Sequence, residues 1–303
     1  MCISSSDEMK RALYILFFLL ALVLCDRGIA LVLNKGLERY FGFDKPADVL
    51  LVGHSHLMLA LDKELLEREL NITVAKYCRE GVNVSDRKQM VKQFLSLSES
   101  KPPRMVIYGV DPFMFTGKGL SANSYKLFYP FMDEAVMDAY IKAEAESAWD
   151  YWGHKLFHVT RYSDALINSS IRGWLGNWEN FKRGQVTKEV IESAGKRDIA
   201  LEQELIDDFT ETIRLLTNSG IQVLLLNTPV VDTIREQNLQ KWERVESVLQ
   251  GIAQSSDLVE YRDYNSLFSK TYSLFYDAIH LNQEGQMKVT EHFIREQKGE
   301  MHD

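Results

Sequence analysis

Cysteine is scarce in this chain, and its few positions exclude two classes of protein. The 303 residues include only Cys2, Cys25 and Cys78, and the first two lie in or near a hydrophobic N-terminal segment. No CxxC pair and no Cys/His spacing typical of zinc ligands occurs. Neither a disulfide framework nor a structural zinc site is therefore expected.

Positive charge is also in short supply. The chain has 35 Lys and Arg against 43 Asp and Glu, which gives a net charge of −8. A basic stripe with interleaved aromatic residues is missing, so nucleic acid is not expected as a partner. Internal repeats and low-complexity segments are missing too. Because hydrophobic residues make up 46% of the chain, it can bury a large core.

One long uncharged run stands near the N-terminus. Residues 12–25 (ALYILFFLLALVLC) carry no charge, and a second apolar patch covers residues 29–33. Alone, the first run has the length of a signal-peptide core, whereas the two together reach the roughly 20 residues of a membrane span. The combined stretch carries the pair Asp26–Arg27 toward its outer end. We expect an uncleaved anchor. The alternatives are a removed signal peptide and a lipoprotein signal whose lipobox ends in Cys25.

The charges beside this run predict its orientation. Lys10 and Arg11 precede it, which favours a cytoplasmic N-terminus and an extracytoplasmic, periplasmic or cell-surface, body. We divide the chain into an anchor or signal segment (1–34), a connector (35–47) and an α/β domain (48–303).

Short apolar runs alternate with helical patterns through the α/β domain. Strands are predicted at 48–52, 72–78, 104–108, 221–226 and 259–264, with amphipathic helices between them. This alternation predicts a three-layer α/β sandwich with a mostly parallel sheet. Residues 117–196 break the rhythm because they are rich in aromatics without a clear strand, and we predict a helical insertion there.

The first motif that carries chemistry is Gly53-His54-Ser55-His56. It follows the first predicted strand and precedes a helix, at the sheet edge where parallel α/β proteins bind ligands. A serine at a helix start is more often only a cap. Alone, the motif does not assign a nucleophile.

The second motif is the stretch YDAIHLN, which places Asp277 three residues before His280 and ahead of the last helix. An aspartate at this spacing can accept a hydrogen bond from the histidine ring, which leaves the other ring nitrogen free to face a nucleophile. The early serine and the late Asp-x-x-His pair therefore predict a Ser55–His280–Asp277 triad.

This order of motifs resembles the SGNH (GDSL-like) hydrolase superfamily, whose fold is flavodoxin-like. The resemblance covers about residues 48–293 outside the insertion. It implies an oxyanion hole formed by the N–H groups of Ser55 and Gly81. At the position of the family's third block, GxND, this chain has Gly109-Val110-Asp111-Pro112. An ionised Asp111 cannot donate as the family's asparagine does, so Asn83 or Asn227 is the expected substitute and the role of Asp111 is open.

The anchor, the insertion and the DxIHLN ending narrow the resemblance. The chain looks like the membrane-tethered SGNH proteins that accompany membrane-bound O-acyltransferases, such as the DltD proteins and those of alginate acetylation. The resemblance implies an SGNH-type serine O-acyltransferase or esterase that transfers a small acyl group to or from a cell-surface polysaccharide or other polymer. No cofactor is expected. Because no carboxylate or cysteine stands at ligand spacing from His54 and His56, no metal site is expected either.

Two other functions fit the same sequence. The chain could be a non-catalytic subunit that scaffolds a membrane-bound O-acyltransferase, which would suit the charged pair Asp26–Arg27 and the missing donor at Asp111. It could also be an ordinary secreted esterase, which would need no partner.

Overall fold

The residues that the computed structural model describes, 5–98, 101–117 and 123–300, contain a sheet of five parallel strands. In spatial order the strands run β2-β1-β3-β4-β5. Their bounds are β1 (Val49–Gly53), β2 (Val74–Cys78), β3 (Met105–Val110), β4 (Gln222–Asn227) and β5 (Val259–Asp263). β1 and β2 are buried at every position, as expected of strands covered on both faces. The predicted α/β fold with a parallel sheet is confirmed.

Helices connect the strands and also form most of the remaining described chain. Their bounds are α1 (Ser5–Phe41), α2 (Ser55–Ala60), α3 (Lys63–Leu70), α4 (Val84–Leu97), α5 (Ala135–Glu144), α6 (Ala148–Leu156), α7 (Asp164–Leu175), α8 (Lys188–Ser193), α9 (Gln203–Asn218), α10 (Asp232–Gln237), α11 (Leu239–Ala253), α12 (Asn265–Phe268) and α13 (Gln283–Glu300). Short 3₁₀ turns cover Ser124–Phe131, His158–Arg161, Ala194–Lys196 and Tyr272–Leu274.

The chain divides into two compact units. One contains residues 40–124 and 176–303 and holds the whole sheet, and the other contains residues 1–39 and 125–175. The helices of the predicted insertion are thus shared between the units, and its described residues contain no strand. Residues 118–122 of the insertion lie outside the described residues.

In the sheet unit, short polar caps divide the helices more finely than the hydrophobic pattern predicts. Residues 57–70 belong to two helices rather than one, because the Asp62 side chain accepts the N–H of Leu65 and starts α3. The cap of α4 is Asn83, which forms a capping box with Asp86. The Ser85 hydroxyl donates to Asp208.

In the other unit, α1 packs along its C-terminal half against the segment 125–175. The Tyr162 hydroxyl donates to the carbonyl of Ala30, and the Ser170 hydroxyl donates to that of Leu33. Gly36 permits close packing, because a Cβ there would lie 2.2 Å from Ser170 Oγ. α1 also continues to Phe41, through the stretch predicted as a connector.

The first part of α1 presents apolar side chains on all sides. The segment Met9–Phe41 is long and apolar enough to cross a membrane, with a mean hydropathy of 2.4 over its most apolar window, of which 6% is buried. By length and composition this helix fits an anchor or a signal segment.

Candidate active site

Ser55 is the first residue of α2, and His54 alone separates it from the end of β1. Two glycines allow α2 to lie directly on the sheet. A Cβ on Gly53 would come within 2.8 Å of Leu57 Cβ, and one on Gly109 within 2.6 Å of the same atom. Because larger residues at either position would push α2 away from β1 and β3, these glycines fix the height of Ser55 above the strand ends.

In the predicted triad, Ser55 and Asp277 each lie within hydrogen-bonding distance of His280, on opposite ring nitrogens. Ser55 Oγ is 2.8 Å from His280 Nε2. His280 Nδ1 is 2.9 Å from Asp277 Oδ2 and 3.1 Å from Oδ1. A neutral His280 with its proton on Nδ1 would donate to Asp277 and accept from the Ser55 hydroxyl.

The loop that carries Asp277 and His280 is closed by its own backbone. The Tyr276 N–H donates to the His280 carbonyl, and Asp277 Oδ1 accepts the N–H groups of Ile279 and His280. Burial would raise the pKa of the Asp277 carboxyl, but the hydrogen bond and charge of His280 outweigh it and lower that pKa. Asp277 is therefore ionised at neutral pH and orients the ring.

Two backbone N–H groups of residues that line the cavity at Ser55 are available to a ligand. Within the described part of the chain, the N–H groups of Ser55 and Gly81 have no hydrogen-bond acceptor, and both residues line the same cavity. Gly81 has a φ of +82°, which favours glycine at this position.

The two asparagines proposed as a further donor differ in position. Asn83 lines the cavity with Ser55, although its side-chain oxygen accepts the N–H of Asp86. Asn227 does not line it, and its amide nitrogen donates to Asp263. The strand order explains this difference, because β4 is separated from β1 by β3. Of these two asparagines, Asn83 lies at the cavity that contains Ser55 and Asn227 does not.

Asp111 is paired with a histidine that the sequence did not connect to it. Asp111 Oδ2 lies 2.6 Å from His54 Nε2, and its Oδ1 accepts the N–H of Phe113. The carboxylate is 1% exposed. Burial alone would raise the pKa of Asp111, but its electrostatic interaction and hydrogen bond with the His54 ring outweigh burial and hold that pKa well below its ordinary value. Asp111 is therefore an ionised acceptor and cannot replace the family's asparagine donor.

Both ring nitrogens of His54 are engaged. Nδ1 accepts the N–H of His56 and so caps the start of α2, while Nε2 faces Asp111. The Nδ1 atom must be unprotonated to accept, which places the ring proton on Nε2, where it can be donated to the carboxylate. His54 therefore links the end of β3 to the start of the helix that carries Ser55.

His56 is a buried neutral ring between two others. Its ring packs edge-to-face against His54 and His280, at centroid distances of 4.3 and 5.2 Å. Burial, followed by the electrostatic effect of the neighbouring His54 ring, lowers the pKa of His56 well below its ordinary value. The buried Nδ1 of His56 has no hydrogen-bond partner in the described residues.

His54, His56 and Asp111 together offer three metal-ligand atoms within 4.8 Å of one another. The sequence did not reveal this group because the carboxylate arrives from β3 rather than from ligand spacing along the chain. Both ring nitrogens of His54 are already engaged, because Nε2 donates to Asp111 and Nδ1 accepts the N–H of His56. A metal ion bound to this ring would have to replace one of these hydrogen bonds. We therefore describe His54 and Asp111 as a hydrogen-bonded pair rather than as metal ligands.

The cavity above Ser55 has a volume of about 350 Å³. The Ser55 and His280 side chains and Gly81 lie on its wall. Its other lining residues include the apolar Val82, Phe113, Met114 and Ile279, and the exposed Arg197. A cavity of this size can hold a small acyl group next to Ser55.

Comparisons with known proteins found remote likenesses among solved structures. No protein-family model and no curated protein matches the chain. A Bacteroides fragilis protein described provisionally as an acylhydrolase is 11% identical, with a TM-score of 0.44 over 85% of this chain and 90% of that one. The C-terminal catalytic domain of peptidoglycan O-acetyltransferase A from Streptococcus pneumoniae, solved with a methylsulfonyl adduct, is 10% identical, with a TM-score of 0.37 over 82% and 90%. Likenesses at this level assign neither a family nor an activity to this chain.

Proposed function

We propose that this chain is a serine-dependent acyltransferase or esterase of the SGNH type that carries a small acyl group on Ser55. One observation carries the proposal: Ser55 Oγ, the His280 ring and the Asp277 carboxylate form one hydrogen-bonded relay at the wall of a cavity. A serine that only capped a helix would not need a histidine and a carboxylate aligned behind it.

In the first half-reaction His280 Nε2 removes the proton of Ser55, and Oγ attacks the carbonyl carbon of an acyl donor. The C–O bond to the donor's alcohol breaks, and that alcohol leaves with the proton from His280. The N–H groups of Ser55 and Gly81 hold the oxyanion of the tetrahedral intermediate, with Asn83 as the proposed third donor. Asp277 stabilises the imidazolium that forms.

In the second half-reaction an acceptor hydroxyl gives its proton to His280 and attacks the carbonyl carbon of the Ser55 ester. The bond from that carbon to Ser55 Oγ then breaks, Oγ takes the proton back from His280, and the acyl group leaves on the acceptor. We propose a hydroxyl of a cell-surface polysaccharide or related polymer as this acceptor. With water in its place the same steps give hydrolysis. The chain's resemblance to SGNH proteins that accompany membrane-bound O-acyltransferases supports such an enzyme as the partner that supplies the acyl group.

We further propose that α1 is a retained membrane anchor, with the sheet unit outside the cytoplasm. Lys10 and Arg11 at the near end of the apolar run support this orientation. The contacts of Ala30, Leu33 and Gly36 with residues 162 and 170 support retention, because cleavage beyond them would remove part of a packed unit.

Fluorophosphonate labelling of the purified full-length chain tests the nucleophile. We expect labelling of the wild type and none of Ser55→Ala. Ser85→Ala is the matched control, because the Ser85 hydroxyl donates to Asp208 and has no histidine partner. Labelling that persists in Ser55→Ala, or a wild type that is never labelled, would contradict the proposal.

A second measurement separates transfer from hydrolysis. p-Nitrophenyl acetate supplies the acyl group, and acetate and acetylated oligosaccharide are quantified with increasing concentrations of a soluble glycan. Transfer predicts acetylated glycan that depends on Ser55, whereas an ordinary esterase releases only acetate.

A further inference from the structure

A stripe of exposed apolar side chains lies on α6, in the same unit as α1. Trp149, Trp152, Leu156 and Phe157 are 87%, 52%, 58% and 61% exposed. We call these four residues the apolar patch. Positions 149, 152 and 156 lie on one face of the helix, as their spacing requires. The other face is the packed one: Tyr151 is buried, and Asp150 accepts the hydroxyls of Tyr125 and Tyr129.

The end of α6 is fastened to α1 at one carboxylate. Asp26 accepts the backbone N–H groups of His158 and Val159, each at 2.9 Å. Arg27 contacts the ring of His158. This explains the charged pair in an otherwise apolar segment: Asp26 holds the segment that immediately follows Phe157. The Phe157 end of the patch is therefore placed next to Asp26 of α1.

The length of α1 determines the depth at which Asp26 would lie in a membrane. A hydrocarbon core of about 30 Å takes about 20 residues, so a span that begins at Ala12 ends near Leu31. Asp26 then lies about 7 Å inside that end, at roughly 1.5 Å per residue. The residues beyond it agree, because Ile29, Leu31 and Val32 are apolar and exposed on α1.

We infer that the apolar patch lies in the interface of the membrane that α1 crosses, with its side chains between the lipid headgroups and the acyl chains. The inference rests on the proposed anchoring by α1 and not on the acyl chemistry. Interfacial helices bury their apolar face by about 5–10 Å, which matches the depth of Asp26. Tryptophan is the residue type that membrane interfaces favour, and the patch has two.

The contact holds the unit formed by α1 and residues 125–175 at a fixed depth, through a second attachment besides the span. It also gives Trp149 and Trp152 surroundings that suit them, since each ring is apolar but carries one N–H that can reach the headgroups. A carbohydrate platform would use the same side chains differently, because sugar stacking needs them open to water.

Site-specific fluorescence of the full-length chain tests this placement. Cys2 and Cys25 are replaced by serine; Cys78 is buried and its thiol pKa is raised to about 12, so it does not react. An NBD label is attached at Trp149→Cys or Leu156→Cys, with Glu144→Cys on α5 as the control. Each labelled chain is placed in nanodiscs of phosphatidylcholine and phosphatidylglycerol, whose two faces are both open to solvent.

We expect labels at 149 and 156 to emit at shorter wavelength than the label at 144 and to be quenched by brominated lipid. Aqueous dithionite should reduce them about tenfold more slowly, as for groups below the headgroups. Labels that behave like the one at 144 would overturn the inference. Labels that are aqueous in nanodiscs but protected in native membranes would also overturn it and would indicate a protein partner instead.

Two controls separate this inference from the proposed function. If the chain does not remain in the nanodisc, the anchoring fails and the inference falls with it. If the labels are in lipid while fluorophosphonate does not react with Ser55 in the same nanodiscs, the acyl chemistry fails and the membrane contact stands.

Discussion

The Nε2 atom of His54 lies 2.6 Å from Asp111 Oδ2, while the Nδ1 atom of the same ring accepts the N–H of His56. One side chain thus binds a buried carboxylate at the end of β3 and caps the helix that begins with Ser55. Asp111 stands where the sequence resemblance implies an oxyanion donor, and in the structure its partner is His54. We interpret His54 and Asp111 as positioning residues for Ser55.

Two substitutions separate the roles of His54. His54→Ala removes both contacts, whereas His54→Asn keeps a side chain suited to capping but too short to reach Asp111. We expect both variants to lose about 3–5 kcal/mol, because Asp111 stays buried without its ring partner. His54→Ala should lose about 1 kcal/mol more, for the cap. Urea unfolding in detergent measures the difference.

The double variant His54→Ala/Asp111→Asn checks that the two residues act as a pair. Its loss should be clearly smaller than the sum of the single losses, because removing the charge removes the cost of leaving it unpaired. Additive losses would show that the pair contributes nothing to stability.

Asp111 should also make stability depend on pH at the acid end. Its pKa is lower in the folded chain than in the unfolded one, because the electrostatic interaction and hydrogen bond with the His54 ring outweigh the effect of burial. The stabilisation is therefore present above the unfolded pKa of about 4 and is lost as the pH falls toward the folded value. Between about pH 5 and pH 3, the unfolding free energy of Asp111→Asn should fall less than that of the wild type.

Asp198→Asn is the matched control for that titration. Asp198 is exposed and pairs with Lys241 at the surface, so solvent screens the pair. Its variant should follow the wild-type pH curve. If Asp111→Asn follows that curve too, the folded-state pKa of Asp111 is not depressed.

Gly81→Ala should lower kcat by a larger factor than the loss of folded protein accounts for. Alanine at a φ of +82° costs about 1–2 kcal/mol and shifts the Gly81 N–H from the position proposed for the oxyanion. Loss of one such donor lowers kcat about 10²–10³-fold. Gly220→Ala has a similar φ of +72° and open space at the Cβ, so it should show the strain without the loss of turnover. Equal kcat values for the two variants would remove Gly81 from the oxyanion hole.

Asp277→Asn should keep the loop but misdirect the ring. The amide oxygen can still accept the N–H groups of Ile279 and His280, but the charge that stabilises the imidazolium is lost. We expect kcat for p-nitrophenyl acetate to fall about 10²–10⁴-fold with little change in KM. A variant that keeps most of its kcat would show that Asp277 does not support His280 in the reaction.

The sequence was sufficient for those features that lie on one short stretch. The apolar runs predicted the strands because each strand is a continuous buried segment, and β1 differs from its predicted bounds by one residue at each end. Asp277 and His280 were linked because both belong to one loop. Ser55 was identified by its position at the end of β1.

Features that depend on which strands are neighbours could not be predicted in this way. His54 and Asp111 meet because β1 and β3 pair in the sheet, which the order of the strands along the chain does not reveal. Asn227 follows a strand end, as an oxyanion donor should, but the strand order places it on the far side of β3 from Ser55. The sequence gives no reason for Asp26 within an apolar segment, because the backbone N–H groups that it binds are more than a hundred residues away.

The central claim is that Ser55 carries the acyl group, and the acyl-enzyme itself can be captured. The full-length chain is mixed with p-nitrophenyl acetate, quenched in acid and digested, and its peptides are analysed by mass spectrometry. We predict an acetyl ester on the peptide that contains Ser55, which disappears when the quench is delayed and never forms in His280→Ala. Turnover with no adduct on Ser55 at any quench time, or an adduct that forms equally in His280→Ala, would contradict the account.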